Sequence, residues 1–73
     1  MAEGFGKALR KLRKERNLTL EALGEKTELD FRTIQRYEAA DRSPILENIK
    51  RIAEALDITP GQLVDLAYEK TKE

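Results

Sequence analysis

From Phe5 to Ala67 the apolar residues recur at the three- and four-residue spacing of helices, and nowhere do they alternate as a half-buried strand requires. Phe5, Ala8, Leu9 and Leu12 form the first stripe, and Leu20 and Leu23 a short second one. Phe31, Ile34 and Tyr37 make the third, and Ile45, Ile49, Ile52, Ala53 and Leu56 the fourth. Leu63, Leu66 and Ala67 make the fifth. Residues that start and stop helices stand between the stripes. Asn17 suits the left-handed end of the first helix. Thr19 and Asp30 are N-caps for the second and third. Ser43-Pro44 reads as a cap followed by proline at the first position of the fourth helix, and Thr59 and Gln62 stand at capping-box spacing before the fifth. Five short helices joined by short connections predict a compact all-α domain. Residues 5–67 form its expected core, with 1–4 and 70–73 expected to fray.

Composition removes several classes of function. The 73 residues contain no cysteine and no histidine, so there is no disulfide, no thiol nucleophile, and neither the usual general base nor the commonest metal ligand. The acids are scattered over solvated faces, and no nucleophile–base pair, glycine-rich phosphate loop or calcium-loop spacing is present. Asp57 and Asp65 read more simply as a cap and a surface residue than as a catalytic pair. No enzyme activity, cofactor or metal is expected. No apolar run approaches the ~20 residues of a membrane span, and the start lacks the apolar stretch of a signal peptide, so a cytoplasmic location with no membrane partner is expected.

The formal net charge is zero, from 14 basic and 14 acidic side chains, which at first argues against a polyanionic partner. Its distribution does not. Residues 1–18 carry +4, residues 19–30 carry −3, residues 31–43 carry +1 and residues 44–73 carry −2. On the first helix Lys7, Arg10, Lys11 and Lys14 fall together opposite the apolar stripe. Local patches of this kind steer a polyanion even when the total cancels.

The third helix, about 31–39, is the most informative segment. At about 100° per residue, Phe31, Tyr37 and Glu38 fall within about 60° of Ile34, while Arg32 and Arg36 fall on the opposite side. Gln35 and Thr33 flank the arginines. Arginine forks match phosphate and the major-groove edge of guanine, and glutamine matches adenine. An ordinary solvated helix face would have a similar make-up. Glu38 lies on the apolar side, where an unpaired carboxylate is costly. Either Arg13, at the edge of the first helix's stripe, pairs with it, or Glu38 sits at the boundary and reaches water.

These residues also form an ordered set of motifs. The run Leu9-x-x-Leu-Arg-x-x-Arg-Asn-Leu-Thr, followed by Leu20-Glu-Ala-Leu-Gly-Glu-Lys-Thr, resembles the opening of the phage repressor and Cro-type (XRE-like) helix-turn-helix family. Leu29-Asp-Phe-Arg-Thr-Ile-Gln-Arg-Tyr-Glu resembles that family's recognition helix. Arg42-Ser-Pro, Ile52-Ala-Glu-Ala-Leu-Asp-Ile-Thr-Pro and Gln62-Leu extend the match over roughly residues 5–67. The resemblance implies a five-helix, lambda-repressor-like fold with the helix-turn-helix at helices two and three, and binding to double-stranded DNA as a two-fold dimer. It implies base reading by Phe31, Arg32, Gln35 and Arg36. It implies backbone contacts near Thr19, Leu20 and Thr33 and at Arg42 and Ser43, and an Arg13–Glu38 ion pair. The chain departs from the pattern at Leu20 (often Gln), Gly24 (Ala), Glu28 (Gly), Ala40 (Gly or Asn) and Phe31 (polar). Phe31 either touches a thymine methyl or packs inward.

The leading expectation is therefore a sequence-specific transcriptional regulator, a repressor-like homodimer inserting helix three into the major groove. Val64 and Tyr68, beside the stripe of helix five, either form the dimer interface or cover the chain's own core. The alternatives are a helix-turn-helix fold used as a protein-interaction module, antitoxin-like or partner-binding, and an engineered scaffold. Balanced charge, Leu20 and Phe31 favour the interaction module.

Overall fold

The computed structural model describes residues 2–69 and holds five helices: α1 (Ala2–Glu15), α2 (Leu20–Thr27), α3 (Phe31–Glu38), α4 (Leu46–Ala55) and α5 (Pro60–Glu69). Each packs mainly on two others, closing a ring in the order α1, α3, α2, α4, α5 and back to α1. Inside it lie Phe5, Leu9, Leu23, Ile34, Tyr37, Ile52, Leu56 and Leu63, all fully or nearly fully buried. Phe5 and Tyr37 meet edge to face at 5.9 Å, and the Tyr37 hydroxyl accepts a 2.8 Å hydrogen bond from the Asn48 amide. The five-helix all-α architecture is the one the stripes predict.

Helix starts follow the caps in three of four cases. The Thr19 hydroxyl accepts the Ala22 amide at 3.0 Å, and the Asp30 carboxylate accepts the Arg32 amide at 2.8 Å. Thr59 and Gln62 bond reciprocally, at 2.9 and 3.0 Å. Ser43-Pro44 does not start α4. Residues 43–45 are without regular structure, α4 begins at Leu46, and its N-cap Ile45 makes no side-chain cap bond. Ile45, expected in the core, is 62% exposed. A Ser cap stabilises a helix by only about 1 kcal/mol, too little to override a connection that must carry the chain from α3 to α4. Residues 2–4 form the first turn of α1, with Gly4 buried. The expectation for residues 70–73 lies outside the described residues.

The ends of α1, α2, α3 and α4 share one device. Asn17, Glu28, Ala40 and Asp57 all have φ between 57° and 64°. Each is followed by an amide that reaches back five residues, Leu18 to Arg13, Leu29 to Gly24, Asp41 to Arg36 and Ile58 to Ala53, at 2.9–3.1 Å. This satisfies carbonyls that a helix end otherwise leaves open. None of the four is glycine. The glycines serve close approach instead: a Cβ on Gly6 would lie 2.5 Å from the Tyr37 carbonyl oxygen, and one on Gly4 would overlap the Ala67 carbonyl. These contacts hold α1 against α3 and α5. A left-handed Ala is disfavoured relative to Gly, so Ala40→Gly is expected to raise unfolding free energy by about 1 kcal/mol in urea denaturation.

Candidate nucleic-acid interface

The turn between α2 and α3 sets up the site. Glu28 ends α2 in the left-handed conformation, Leu29 follows half-buried, and Asp30 caps α3. A Cβ on Gly24 would stand 2.9 Å from the Leu29 carbonyl oxygen and 3.2 Å from the Phe31 nitrogen. Glycine at 24 thus meets a backbone approach in this turn that even alanine would crowd, which accounts for that departure from the family pattern.

On α3, Ile34 and Tyr37 point into the core, and Arg32, Gln35 and Arg36 are exposed. Arg32, Gln35 and Arg36 line a shallow hollow with Ala39 and Asp41. Among the described residues the Gln35 and Arg36 side chains have no hydrogen-bond or ion-pair partner. Arg32 lies 5.6 Å from the centre of the Phe31 ring and 3.9 Å from the Asp30 carboxylate, an exposed pair of little energetic weight. Phe31 is half-buried and lies outside the apolar core cluster, its ring against the Arg32 guanidinium. Thr33 is half-buried, and Arg42 and Ser43 are exposed in the α3–α4 connection. Thr19 is exposed, its hydroxyl oxygen accepting the Ala22 amide while its own proton is left to donate, and Leu20 packs against the core, so the start of α2 offers the Thr19 O–H and backbone amides.

Behind this face stands the Arg13–Glu38 pair. The Arg13 Nε and Nη2 donate to the two Glu38 carboxylate oxygens at 2.7 and 3.1 Å, and Nη1 donates to the Leu18 carbonyl at 2.8 Å. Both side chains are about nine-tenths buried. The hydrogen bond to Glu38 is the main influence holding the Arg13 guanidinium above its ordinary range, opposed by burial and helped by the carboxylate's charge. A raised guanidinium pKa contributes stability at every pH below its unfolded value, so the pair keeps this contribution throughout the neutral range. It fixes the end of α3 to α1, and hence the angle at which the arginine face is presented.

Three engaged side chains carried no signal in the linear pattern. Arg16, counted with the basic first segment, donates through Nε to the Leu56 carbonyl at 2.9 Å. Asn48 holds the Tyr37 hydroxyl, and Arg51 reaches the α2–α3 turn. Of the two residues expected at an interface on α5, Val64 packs against the chain's own core, while Tyr68 is 53% exposed. Among the described residues no cluster of acidic side chains has a metal-binding arrangement, and no helix is long and apolar enough to cross a membrane.

A compact ring of five helices, with α2 and α3 joined by a tight turn and a cationic face on α3, defines a helix-turn-helix protein. Residues 9–63 match the HTH_3 helix-turn-helix family model, and the chain belongs to that family. Among solved structures it is similar to the restriction-modification controller protein C.AhdI from Aeromonas hydrophila, at 37% identity and a TM-score of 0.82, covering 85% of this chain and 94% of that one. The clp gene regulator ClgR from Corynebacterium glutamicum is 22% identical with a TM-score of 0.88, covering 94% of this chain and 73% of ClgR. An HTH_3 family transcriptional regulator from Vibrio cholerae, also 22% identical, has a TM-score of 0.81, and this chain covers 94% of its own length but only 36% of that protein. The two at 22% bear on the fold alone. No curated protein matches significantly in sequence.

Proposed function

We propose that this chain is a sequence-specific, double-stranded DNA-binding transcriptional regulator of the cytoplasm, with α3 inserted in the major groove. The observation that carries this reading is the exposed Arg32–Gln35–Arg36 face, whose Gln35 and Arg36 have no partner within the described residues, on a helix anchored from behind by Arg13–Glu38. Membership of the helix-turn-helix family and the likeness to a controller protein support it. Arg32, Gln35 and Arg36 read base edges, with Phe31 beside them. Thr33, Arg42, Ser43 and the first amides of α2 at Thr19 and Leu20 meet the phosphates. The active species is a homodimer joined through α5, with Tyr68 at the contact and Val64 behind it, placing half-sites about 34 Å apart.

Selection on random duplex DNA, with the solution mass measured alongside, tests this. One enriched, two-fold symmetric site and a mass of two chains are expected. No enrichment and no duplex binding at low salt would end the reading. Arg42→Ala is expected to weaken all duplexes alike and make the log–log salt dependence shallower by about 0.9, the loss of one phosphate contact. Salt titrations on selected and unrelated duplexes measure both.

A second reading, a protein-interaction module, is favoured by Ile45 and Leu46, adjacent apolar side chains 62% and 65% exposed at the start of α4. It predicts no enriched duplex, and loss of partner capture when Ile45→Ser is combined with Leu46→Ser.

A further inference from the structure

The α2–α3 turn reverses the chain over residues 28–30 while α3 must keep a fixed angle. Its hydrogen bonds are nearly complete from within. The Thr27 hydroxyl donates to the Leu23 or Gly24 carbonyl, at 2.8 and 3.1 Å, and the Glu28 and Leu29 amides reach back to Glu25 and Gly24. The Thr27 carbonyl is met from outside. Arg51, on α4, donates to it through Nη1 at 3.3 Å, and the same nitrogen lies 3.3 Å from a Glu28 carboxylate oxygen. The Arg51 Nε is 3.4 Å from Glu47, one turn earlier on α4, which holds the guanidinium in place. Arg51 therefore holds the turn through the Thr27 carbonyl, at the negative end of the α2 dipole, and the Glu28 carboxylate, 80% exposed, is a minor second contact.

The gripped residue is the one that needs support. Glu28 has φ 62° and ψ 27°, a conformation that glycine adopts freely and glutamate does not. There is also no slack beyond it, because the space over Gly24 is closed by the Leu29 carbonyl and the Phe31 backbone. A shift at 28 passes directly into the first turn of α3, where Arg32 stands.

We infer that Arg51 is a positioning residue for DNA recognition: by holding Thr27 and Glu28 it sets the angle of the α3 arginine face without touching the duplex. The inference rests on the DNA-binding reading. Its test uses the full chain with Arg51→Met, Arg51→Lys, Glu28→Gly and the double variant Arg51→Met/Glu28→Gly. Amide hydrogen exchange is read in the free protein, and affinity and salt dependence on the enriched duplex, at a temperature where every variant is folded. Arg51→Met is expected to speed exchange at Glu28 and Leu29, whose amides reach back to Glu25 and Gly24, and weaken duplex binding about 5- to 10-fold, with the salt slope unchanged. Arg51→Lys, which keeps a donor for the Thr27 carbonyl, restores part of the loss. In the Glu28→Gly background the same Arg51→Met change costs less, because glycine needs no support there. A salt slope shallower by about 0.9 would make Arg51 a phosphate contact and overturn the inference. Unchanged affinity with an intact salt slope overturns it as well. If no duplex binds at all, the functional reading fails, and exchange at Glu28 and Leu29 alone decides whether Arg51 holds the turn.

Discussion

Arg13→Met is expected to lower the unfolding free energy by about 3–5 kcal/mol, the loss that follows when one member of a buried ion pair is removed. The size comes from what is left behind. Glu38, 7% exposed in its side chain, loses both guanidinium bonds, and the Leu18 carbonyl loses its donor. Small domains hold only about 5–15 kcal/mol in total, and for a chain of this size each kcal/mol moves the melting temperature by about 4–8 °C. A fall of well over 10 °C is therefore expected in a thermal melt. Arg13→Met with Glu38→Met is expected to recover most of it, since an apolar pair of similar volume carries no desolvation cost. Lys11→Met is the control: its exposed partner Glu15 is 4.0 Å away, and a change within about 0.5 kcal/mol is expected. An Arg13→Met melt matching that of the unsubstituted chain would mean the pair carries no weight in holding α3.

Arg36→Ala is expected to cost about 1–3 kcal/mol of specific affinity, roughly 5- to 150-fold, and to relax preference at one base position. Stability should hardly change, because Arg36 is exposed and no described partner depends on it. Arg36→Lys should lose most of the same specificity, since an ammonium cannot make the paired contacts that a guanidinium fork makes to guanine. Competition between the selected duplex and single-position variants measures the effect. A uniform loss on every sequence, with a shallower salt slope, would reassign Arg36 to the backbone.

Both predictions concern one helix, yet they were not equally legible beforehand. The arginine face of α3 follows from residue spacing alone, because a regular helix places Arg32 and Arg36 together whatever surrounds it. The Arg13–Glu38 pair followed from a cost: a carboxylate on a buried face demands a cation, and Arg13 was placed to supply one. Arg51 made no such demand. Its neighbour along the helix, Glu47, already explains it locally, and its reach to Thr27 exists only once α4 lies beside α2. Arg16 likewise reads as part of a basic patch until α4 brings the Leu56 carbonyl to it.

Local rules failed where local energies were small. Ser43-Pro44 has the form of a helix start, and α4 begins at Leu46 all the same. Glycine is the usual mark of a helix end, but the four left-handed ends use Asn17, Glu28, Ala40 and Asp57. The buried Gly4, Gly6 and Gly24 mark places where backbones meet.

The sequence by itself determined five helices, most of their caps, the face that each buries, and the cationic side of α3. All of these depend on residues within a turn or two of one another, where helical geometry dictates the neighbours. Tertiary structure alone decided where α4 begins, that Val64 covers its own core while Ile45 and Leu46 stand exposed, and that Arg51 holds the turn before α3. Those outcomes depend on contacts between residues far apart in the chain. No local spacing encodes them, because they come into being only when the ring of helices closes.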